Sequence, residues 1–268
     1  MIGVFDSGYG GLSVFKEMVK SFPQYSFIYL GDNARAPYGS RSKEIVTEYT
    51  KESLEWLFKE GSEVVVLACN TASGEALENL SNSEFLVNKF SDKVILGVID
   101  PVTDFLSDFV SKNEIIGVIG TASTIRSHKY AKSLNDIGFK NVVERATPLL
   151  APLVETGKVE GPMAEHIIAD ALSPFTRDGV SNVILGCTHY YFLRETIEKL
   201  YPHLKLFDAS EAFPRFFKKF LLNHSLLEER ISRGNVPRFY TTDEEDDFAR
   251  FVEKTLGLSI YPKKIKLV

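Results

Sequence analysis

The sequence has few cysteines, no long apolar run and no leader-like start. Two cysteines in 268 residues are too few for the disulfide scaffold of a small secreted protein, so we expect a cytoplasmic protein with reduced thiols. No run reaches the roughly 18 apolar residues of a membrane span, and we expect no membrane partner. The opening residues, MIGVFDSGYG, lack a cationic segment before an apolar stretch, so we expect no signal peptide.

Signatures of several ligand classes are also missing. A net charge of −5 argues against a nucleic-acid partner. There is no Cys-x-x-Cys and no histidine pair at ligand spacing, so we expect no metal site. Neither glycine-rich loop ends in the Lys-Ser/Thr of a P-loop, and Ser13 replaces the third glycine of G-x-G-x-x-G. The sequence therefore predicts neither a bound nucleotide nor a metal.

The sequence does contain short apolar runs separated by longer helical patterns. The runs are residues 2–5, 27–30, 64–68, 94–98, 115–119, 141–144 and 182–186. Because these runs are continuously apolar rather than alternating, we interpret them as strands that are covered on both faces. Their alternation with helices predicts an α/β fold with parallel sheets.

Two helical patterns are clearest. Residues 40–61 have an apolar stripe and end at a glycine, and residues 161–175 have a proline suited to the first turn. The stripe of the first pattern consists of Ile45, Tyr49, Leu54 and Leu57. The acidic run at residues 243–247 is typical of a helix start, where it complements the helix dipole.

The ends of the strands repeat along the chain. Phe5 and Val118 occupy similar strands 113 positions apart, and Cys69 and Cys187 follow similar strands 118 positions apart. We interpret this as two similar α/β domains in tandem, related by a pseudo-twofold axis, with the active site in the cleft between them. We expect a domain boundary near residue 99 and a C-terminal tail that returns to complete the first domain. The first domain then comprises residues 1–98 plus 208–268, and the second comprises residues 99–207.

The polar residues follow the strands, where parallel α/β sheets bind ligands. The loops are Asp6–Gly11, Gly31–Ser42, Cys69–Thr71, Thr121–Thr124 and Cys187–His189. Each is expected to lead into a helix N-terminus. Each loop also has a structural interpretation: tight turns for the glycines, helix caps for Asp6 and Thr121, and buried apolar packing for either cysteine.

The equivalent positions of the two cysteines favour chemistry over packing. If the domains face one another, the thiols flank a single cleft. One thiolate then removes a proton from carbon while the other thiol protonates the opposite face, which inverts a stereocentre. Such a scheme needs no cofactor.

Six motifs together resemble the glutamate racemases of the aspartate/glutamate racemase superfamily. They are GVFDSGYGGLSV, GDNARAPYGSRS, VLACNTASG, GVIGTAST, PLVE and GCTHY, within residues 2 to about 206. The resemblance implies cofactor-independent interconversion of L- and D-glutamate, with D-glutamate supplied to peptidoglycan. It also implies that the protein is a homodimer.

The resemblance further implies a role for each site residue. Cys69, assisted by Asp6, would deprotonate D-glutamate, and Cys187, tuned by His189, would deprotonate L-glutamate. The implied substrate contacts are Asp6 and Ser7 to the ammonium, Asn70, Thr71 and Thr188 to the α-carboxylate, and the backbone N–H groups of Tyr38 and Gly39 to the side-chain carboxylate. Thr121, Thr124 and Glu155 match the family pattern without an assigned contact. His189 and Glu155 also fit structural roles.

Two positions depart from the family pattern. Tyr191 replaces a usual proline and Thr147 a frequent cysteine. The sequence also starts directly on its first strand, so we expect no activation by a UDP-linked muramoyl-alanine precursor. Three alternatives stay open: an aspartate or other amino-acid racemase of the superfamily, a non-catalytic ligand-binding relative, and a redox switch whose two cysteines form a disulfide.

Overall fold

The computed structural model describes residues 1–234 and 236–267, and its main element is a pair of parallel β-sheets. The strands are β1 Ile2–Asp6, β2 Phe27–Gly31, β3 Val64–Leu67, β4 Val94–Gly97, β5 Ile116–Gly120, β6 Val142–Ala146, β7 Asn182–Gly186, β8 Lys205–Phe207, β9 Arg238–Thr241 and β10 Lys263–Lys264. All seven expected strands are present, but β6 is an edge strand whose residues are exposed or only partly buried, so the expected cover on both faces is wrong for it. The short β8 was missed because its three residues are too few to form a recognisable apolar run.

Helices connect the strands. They are α1 Leu12–Ser21, α2 Lys43–Lys59, α3 Asn70–Glu75, α4 Leu77–Ser81, α5 Glu84–Lys89, α6 Ile99–Ser107, α7 Ala122–Arg126, α8 Lys129–Asp136, α9 Leu150–Glu155, α10 Pro162–Arg177, α11 Arg194–Leu200, α12 Ala209–Leu222, α13 Ser225–Arg230 and α14 Glu245–Leu256. In the part of the chain that the structure describes, three 3₁₀ helices lie at Asn33–Arg35, Tyr38–Ser40 and Thr188–Leu193. In the described residues, no helix has the combination of length and apolarity needed to cross a membrane.

The two sheets share one strand order. The first runs β10-β9-β2-β1-β3-β4 and the second β6-β5-β7-β8. The segment β2-β1-β3-β4 therefore corresponds to the whole second sheet, with β3 equivalent to β7. Cys69 follows β3 and Cys187 follows β7, so the expected equivalence of the two cysteine positions is confirmed. The architecture is α/β with two parallel sheets, as predicted.

The C-terminal tail returns to the first sheet. β9 pairs with β2 and β10 with β9, both in parallel. Strand β10 extends over only two residues, Lys263–Lys264, and Val268 lies outside the described residues. We propose that residues 1–98 plus 208–268 form one domain and 99–207 the other, since each sheet draws its strands from one of these sets.

Helix α2 has the expected ends, but a different face of it is buried. The Ser42 side chain caps its start by accepting from the Ile45 N–H, and Gly61 follows its end with a φ of +92°. The expected stripe is shifted, however, because Ile45 and Tyr49 are only partly buried. Val46, Thr50, Ser53 and Phe58 are buried beside Leu54 and Leu57, so the helix is rotated relative to the prediction.

One apolar core extends beneath both sheets. It contains strand residues of the first sheet such as Val4 and Val66 and of the second such as Val118 and Ile184. Helices α6 and α12 contribute Val102 and Phe213 to the same cluster. Burial of each such side chain is worth about 1.5–3 kcal/mol. The shared core holds the two sheets in a fixed relation, which positions the loops at their carboxyl ends.

Candidate active site

The loops at the carboxyl ends of both sheets enclose a narrow cleft of about 130 Å³. Its volume corresponds to a few water molecules and suits a small ligand better than a drug-sized one. The expected residues that line it are Ser7, Tyr38, Gly39, Cys69, Asn70, Thr71, Thr121, Glu155, Cys187, Thr188 and His189. Asp6 and Thr124 are fully buried and lie behind the lining. Among the described lining residues there is no lysine or arginine.

Cys69 lies between β3 and α3 and is 5% exposed. Its thiol donates to Ser7 Oγ over 3.4 Å. Burial and, to a smaller extent, the nearby Asp6 charge together raise the pKa of Cys69 to about 12, although the hydrogen bonds with Ser7 and the Ala72 N–H lower it. In this state Cys69 keeps its proton, so it is arranged as a proton donor.

Cys187 is at the equivalent strand end and has a different environment. His189 Nδ1 lies 3.8 Å from Cys187 Sγ, and His189 Nε2 lies 3.1 Å from Glu155 Oε1. Although burial opposes its charge, contacts with Cys187 and Glu155 raise the pKa of His189 to about 10. The imidazolium thus carries a proton on each nitrogen. Nδ1 faces the thiol, and Nε2 forms an ion pair with the carboxylate without hydrogen-bond geometry. The loop continues as the 3₁₀ helix Thr188–Leu193, which leads into α11.

The raised pKa of His189 makes stability dependent on pH. We expect the free energy of unfolding to fall as pH rises from about 6.5, the pKa of an unfolded histidine, toward the folded value of about 10. In that window the unfolded chain releases a proton that the folded chain keeps, so this group removes up to about 1.4 kcal/mol per pH unit. The difference in the free energy of unfolding between wild type and His189→Asn, measured by denaturant unfolding, should shrink with rising pH. If this difference in free energy stayed constant from pH 6.5 to 10, the raised pKa of His189 would be contradicted.

Asp6 connects the first loop to the Cys187 loop. Its Oδ1 accepts from the Gly8 N–H at 2.9 Å, and its Oδ2 accepts from Thr188 Oγ1 at 3.2 Å. Burial raises the pKa of Asp6, while His189 and the N–H groups of Gly11 and Gly8 oppose the rise. The carboxyl group therefore lies beneath the cleft and joins both halves of the site.

Three threonine hydroxyls form a second connection between the halves. Thr71 Oγ1 lies 3.0 Å from Thr121 Oγ1 and 3.2 Å from Thr124 Oγ1, and the last two are 2.9 Å apart. Thr121 also caps α7 by accepting from the Thr124 N–H. Thr121 thus caps a helix, as predicted, and also forms part of the cleft wall.

The loop after β2 brings Tyr38 and Gly39 to the cleft. Tyr38 OH donates to Asp32 Oδ2 over 2.5 Å, and Arg35 Nε donates to the same oxygen over 2.7 Å. Thr242 Oγ1 donates to Asp32 Oδ1 over 2.8 Å, so the returning tail also holds this loop. The Asp32 carboxylate fixes the turn that presents the Tyr38–Gly39 backbone.

Several contributors to the site were not predicted. The lining also includes Ala36, Pro37, Ser40, Ala122, Pro148, Ala151, Pro152 and Tyr190. Six of them lie within the six motifs, and Pro148 and Ala151 lie just before PLVE, but the sequence indicated no role for any of them. Asp32 and Tyr130 act from behind the lining, and only their hydrogen bonds identify them.

The two departures from the family pattern have separate environments. Thr147 is buried behind the cleft, where Tyr190 OH donates to its carbonyl oxygen over 2.9 Å. Tyr191 instead lines a neighbouring cavity with Tyr9, Phe192 and Phe251. Thr147 thus supports a lining residue, whereas Tyr191 is outside the cleft.

The site's functional groups are thiols, hydroxyls, one imidazole and carboxylates. Both thiols are free in this structure, with no disulfide between them. Within residues 1–234 and 236–267 no group of three or more His, Cys, Asp or Glu side chains is arranged to hold a metal ion. This set is suited to transferring protons to and from a small anionic ligand.

Comparisons with known proteins agree with this geometry. The model of the Asp/Glu/Hydantoin racemase family matches residues 2–213. A glutamate racemase from Persephonella marina is 38% identical over 99% of this chain and 97% of its own length. The crystal structure of glutamate racemase isoform RacE1 from Bacillus anthracis has a TM-score of 0.89 at 33% identity, covering 100% of this chain and 97% of that one.

A second solved structure contains a ligand. The glutamate racemase from Francisella tularensis, in complex with D-glutamate, has a TM-score of 0.86 at 27% identity and covers 99% of this chain and 97% of its own. The family match covers the second sheet, strands β1 to β4 of the first sheet and all the cleft loops. With two free thiols at equivalent strand ends of a small cleft, this chain belongs to the Asp/Glu/Hydantoin racemase family.

Proposed function

We propose that this protein is a glutamate racemase that interconverts L- and D-glutamate with two thiols and without a cofactor. The observation that carries the proposal is the presence of Cys69 and Cys187 at equivalent strand ends of one cleft. The 38% identity to a curated glutamate racemase over nearly the whole chain supports glutamate as substrate rather than aspartate.

In the proposed step the Cys187 thiolate takes the α-proton of L-glutamate. The electron pair remains on the α-carbon as an enolate-like carbanion, and the Cys69 thiol gives its proton to the opposite face. D-Glutamate results, and the two sulfurs have exchanged protonation states. The reverse reaction begins at Cys69. The S–H of Cys69 in this structure matches its proton-donor role in the L-to-D direction.

The surrounding groups have supporting roles. His189, held by Glu155, faces the Cys187 sulfur and stabilises negative charge there. Asn70, Thr71 and Thr188 would bind the α-carboxylate, and the backbone N–H groups of Tyr38 and Gly39 the side-chain carboxylate. Ser7, with Asp6 behind it, would face the ammonium group. Preorganised donors of this kind stabilise the charge that develops during proton abstraction.

The test is an assay of the purified protein with each candidate amino acid and no added cofactor. We expect L-glutamate to lose its optical rotation as D-glutamate accumulates, and L-aspartate to react at least about a hundredfold more slowly. The side chain of aspartate is one methylene shorter. If its carboxylate binds where that of glutamate does, the α-carbon is displaced from the thiols, and small displacements of this kind reduce the rate by about this factor. Faster reaction with aspartate would assign the alternative substrate, and no reaction with either would favour a non-catalytic relative.

The family resemblance also supports finer proposals. We infer that the protein supplies D-glutamate for peptidoglycan, acts in the cytoplasm and forms a homodimer. The chain mass is 30.1 kDa, so sedimentation equilibrium at micromolar concentration should give twice this mass. Loss of the gene product should be rescued by D-glutamate in the growth medium if the peptidoglycan role is correct.

A further inference from the structure

Tyr130 is fully buried and contacts the chain beside each cysteine. Its hydroxyl donates to Asn70 Oδ1 over 2.6 Å, and Asn70 directly follows Cys69. Its ring lies against Gly186, where an added β-carbon would be 3.1 Å from Tyr130 Cε2. Gly186 directly precedes Cys187. One side chain thus touches a neighbour of each proposed base, although it does not line the cleft itself.

A sharp turn between two helices brings Tyr130 to this position. α7 ends at Arg126 and α8 begins at Lys129, and His128 between them has a left-handed conformation with φ +50°. Non-glycine residues seldom adopt such a φ, so the turn is specific. Tyr130 in the first turn of α8 then packs into the core that both sheets share. Its ring is held by this packing and does not depend on the hydroxyl.

The direction of the hydrogen bond determines how Asn70 is oriented. Burial raises the pKa of Tyr130, and the charges of Asp208 and Cys187 add to the rise, so the phenol stays protonated and donates. An asparagine amide accepts at Oδ1 and donates at Nδ2. With Oδ1 engaged by Tyr130, Nδ2 is turned away from it. Among the residues that the structure describes, Nδ2 has no hydrogen-bond partner, and Asn70 lines the cleft.

We propose that Tyr130 is a positioning residue for racemisation, whose hydroxyl holds the Asn70 amide with its N–H₂ group toward the α-carboxylate of the substrate. This inference rests on the proposed function. Without the hydroxyl, the amide can turn over and present its carbonyl oxygen to a carboxylate, where two acceptors face one another. Asn70 would then lose its contact with the substrate in the ground state and in the transition state alike.

The test begins with Tyr130→Phe, which removes the hydroxyl and keeps the ring. Loss of one hydrogen bond of this kind corresponds to about a tenfold change in binding. We expect KM to rise about tenfold for both enantiomers while kcat changes less than threefold, because the lost contact binds substrate and transition state equally. The matched control is Tyr25→Phe, which removes a hydroxyl bonded to Glu228 far from the cleft and should leave both constants unchanged.

A double-mutant cycle separates positioning from general packing. If Tyr130 acts through Asn70, adding Tyr130→Phe to Asn70→Ala should change KM less than twofold. A KM within twofold of wild type in Tyr130→Phe alone would overturn the proposal. So would the same tenfold loss in both backgrounds, because the hydroxyl would then act independently of Asn70.

Direct binding distinguishes failure of this inference from failure of the proposed function. Calorimetric titration of Cys69→Ser with D- and L-glutamate measures the dissociation constant without turnover, and adding Tyr130→Phe should weaken it about tenfold. If wild type binds glutamate but does not racemise it, the proposed function fails while this comparison still decides the role of Tyr130. If wild type racemises glutamate and Tyr130→Phe binds it equally well, only the inference fails.

Discussion

In deuterated water, the Cys69→Ser and Cys187→Ser proteins are expected to lose racemisation of both glutamate enantiomers by about three orders of magnitude or more. Positioned acid–base groups contribute about 10²–10⁴-fold each, and either direction needs one sulfur to take a proton and the other to supply one. A serine hydroxyl is a much weaker acid than a thiol, so it replaces neither function. Wild type should form product that contains deuterium at the α-carbon.

The two variants should differ in the exchange that remains. Cys69→Ser keeps the sulfur that faces L-glutamate, so α-hydrogen exchange without inversion should be confined to the L enantiomer. Cys187→Ser should show exchange of the D enantiomer alone. Optical rotation together with NMR of the α-proton measures both quantities, and Tyr25→Phe serves as the unrelated variant. The opposite pattern would reverse the assigned bases, and racemisation at the wild-type rate in either variant would exclude the two-thiol scheme.

Gly10→Ala is expected to reduce kcat/KM by a hundredfold or more without unfolding the protein. A β-carbon at residue 10 would lie 2.3 Å from Thr188 Oγ1 and 2.9 Å from the His189 backbone nitrogen. Because backbone is among the contacts, a side-chain rotation cannot relieve the clash, and the Cys187 loop must move. Displacement of a catalytic group by about 1 Å costs about a hundredfold.

Gly8→Ala, two residues earlier in the same loop, is the matched control. A β-carbon there would meet its nearest atom, Asn33 Nδ2, only at 3.8 Å, which is ordinary contact. We expect its kcat/KM to stay within a fewfold of wild type. Steady-state assays of both variants, with thermal unfolding to verify the fold, would decide. Equal activities would show that the first loop and the Cys187 loop are not tightly packed in solution.

The expected strands and the repeated strand ends depended only on local pattern. Continuous apolar runs such as Val64–Leu67 and Asn182–Gly186 cannot face water on either side, so they indicate buried parallel strands before any contact is known. The placement of polar loops after those strands then follows from how parallel sheets bind ligands. For the same reason, the loops of the cleft could be selected from their positions after strands, whereas Glu155 and the individual substrate contacts rested on the family resemblance.

Helix rotation and short elements were less predictable. Ile45 and Tyr49 fit the helical period of α2 but are only partly buried, because packing against α3 and the first sheet selects the Val46 side instead. β8 has three residues, too few to show a period, and exists because β7 offers it a partner. Both features depend on contacts between segments distant in sequence.

By itself, the sequence determined the α/β class, the tandem repeat, the two cysteines at equivalent strand ends and the loops that form the cleft. Only the tertiary structure decided the asymmetry of the two thiols, one beside Ser7 and Asp6 and the other beside a histidine held by Glu155. It also decided that Tyr130 holds Asn70 from 60 positions away. The physical reason is that local pattern depends on neighbours along the chain, whereas burial, charge and hydrogen-bond direction depend on which segments meet in space.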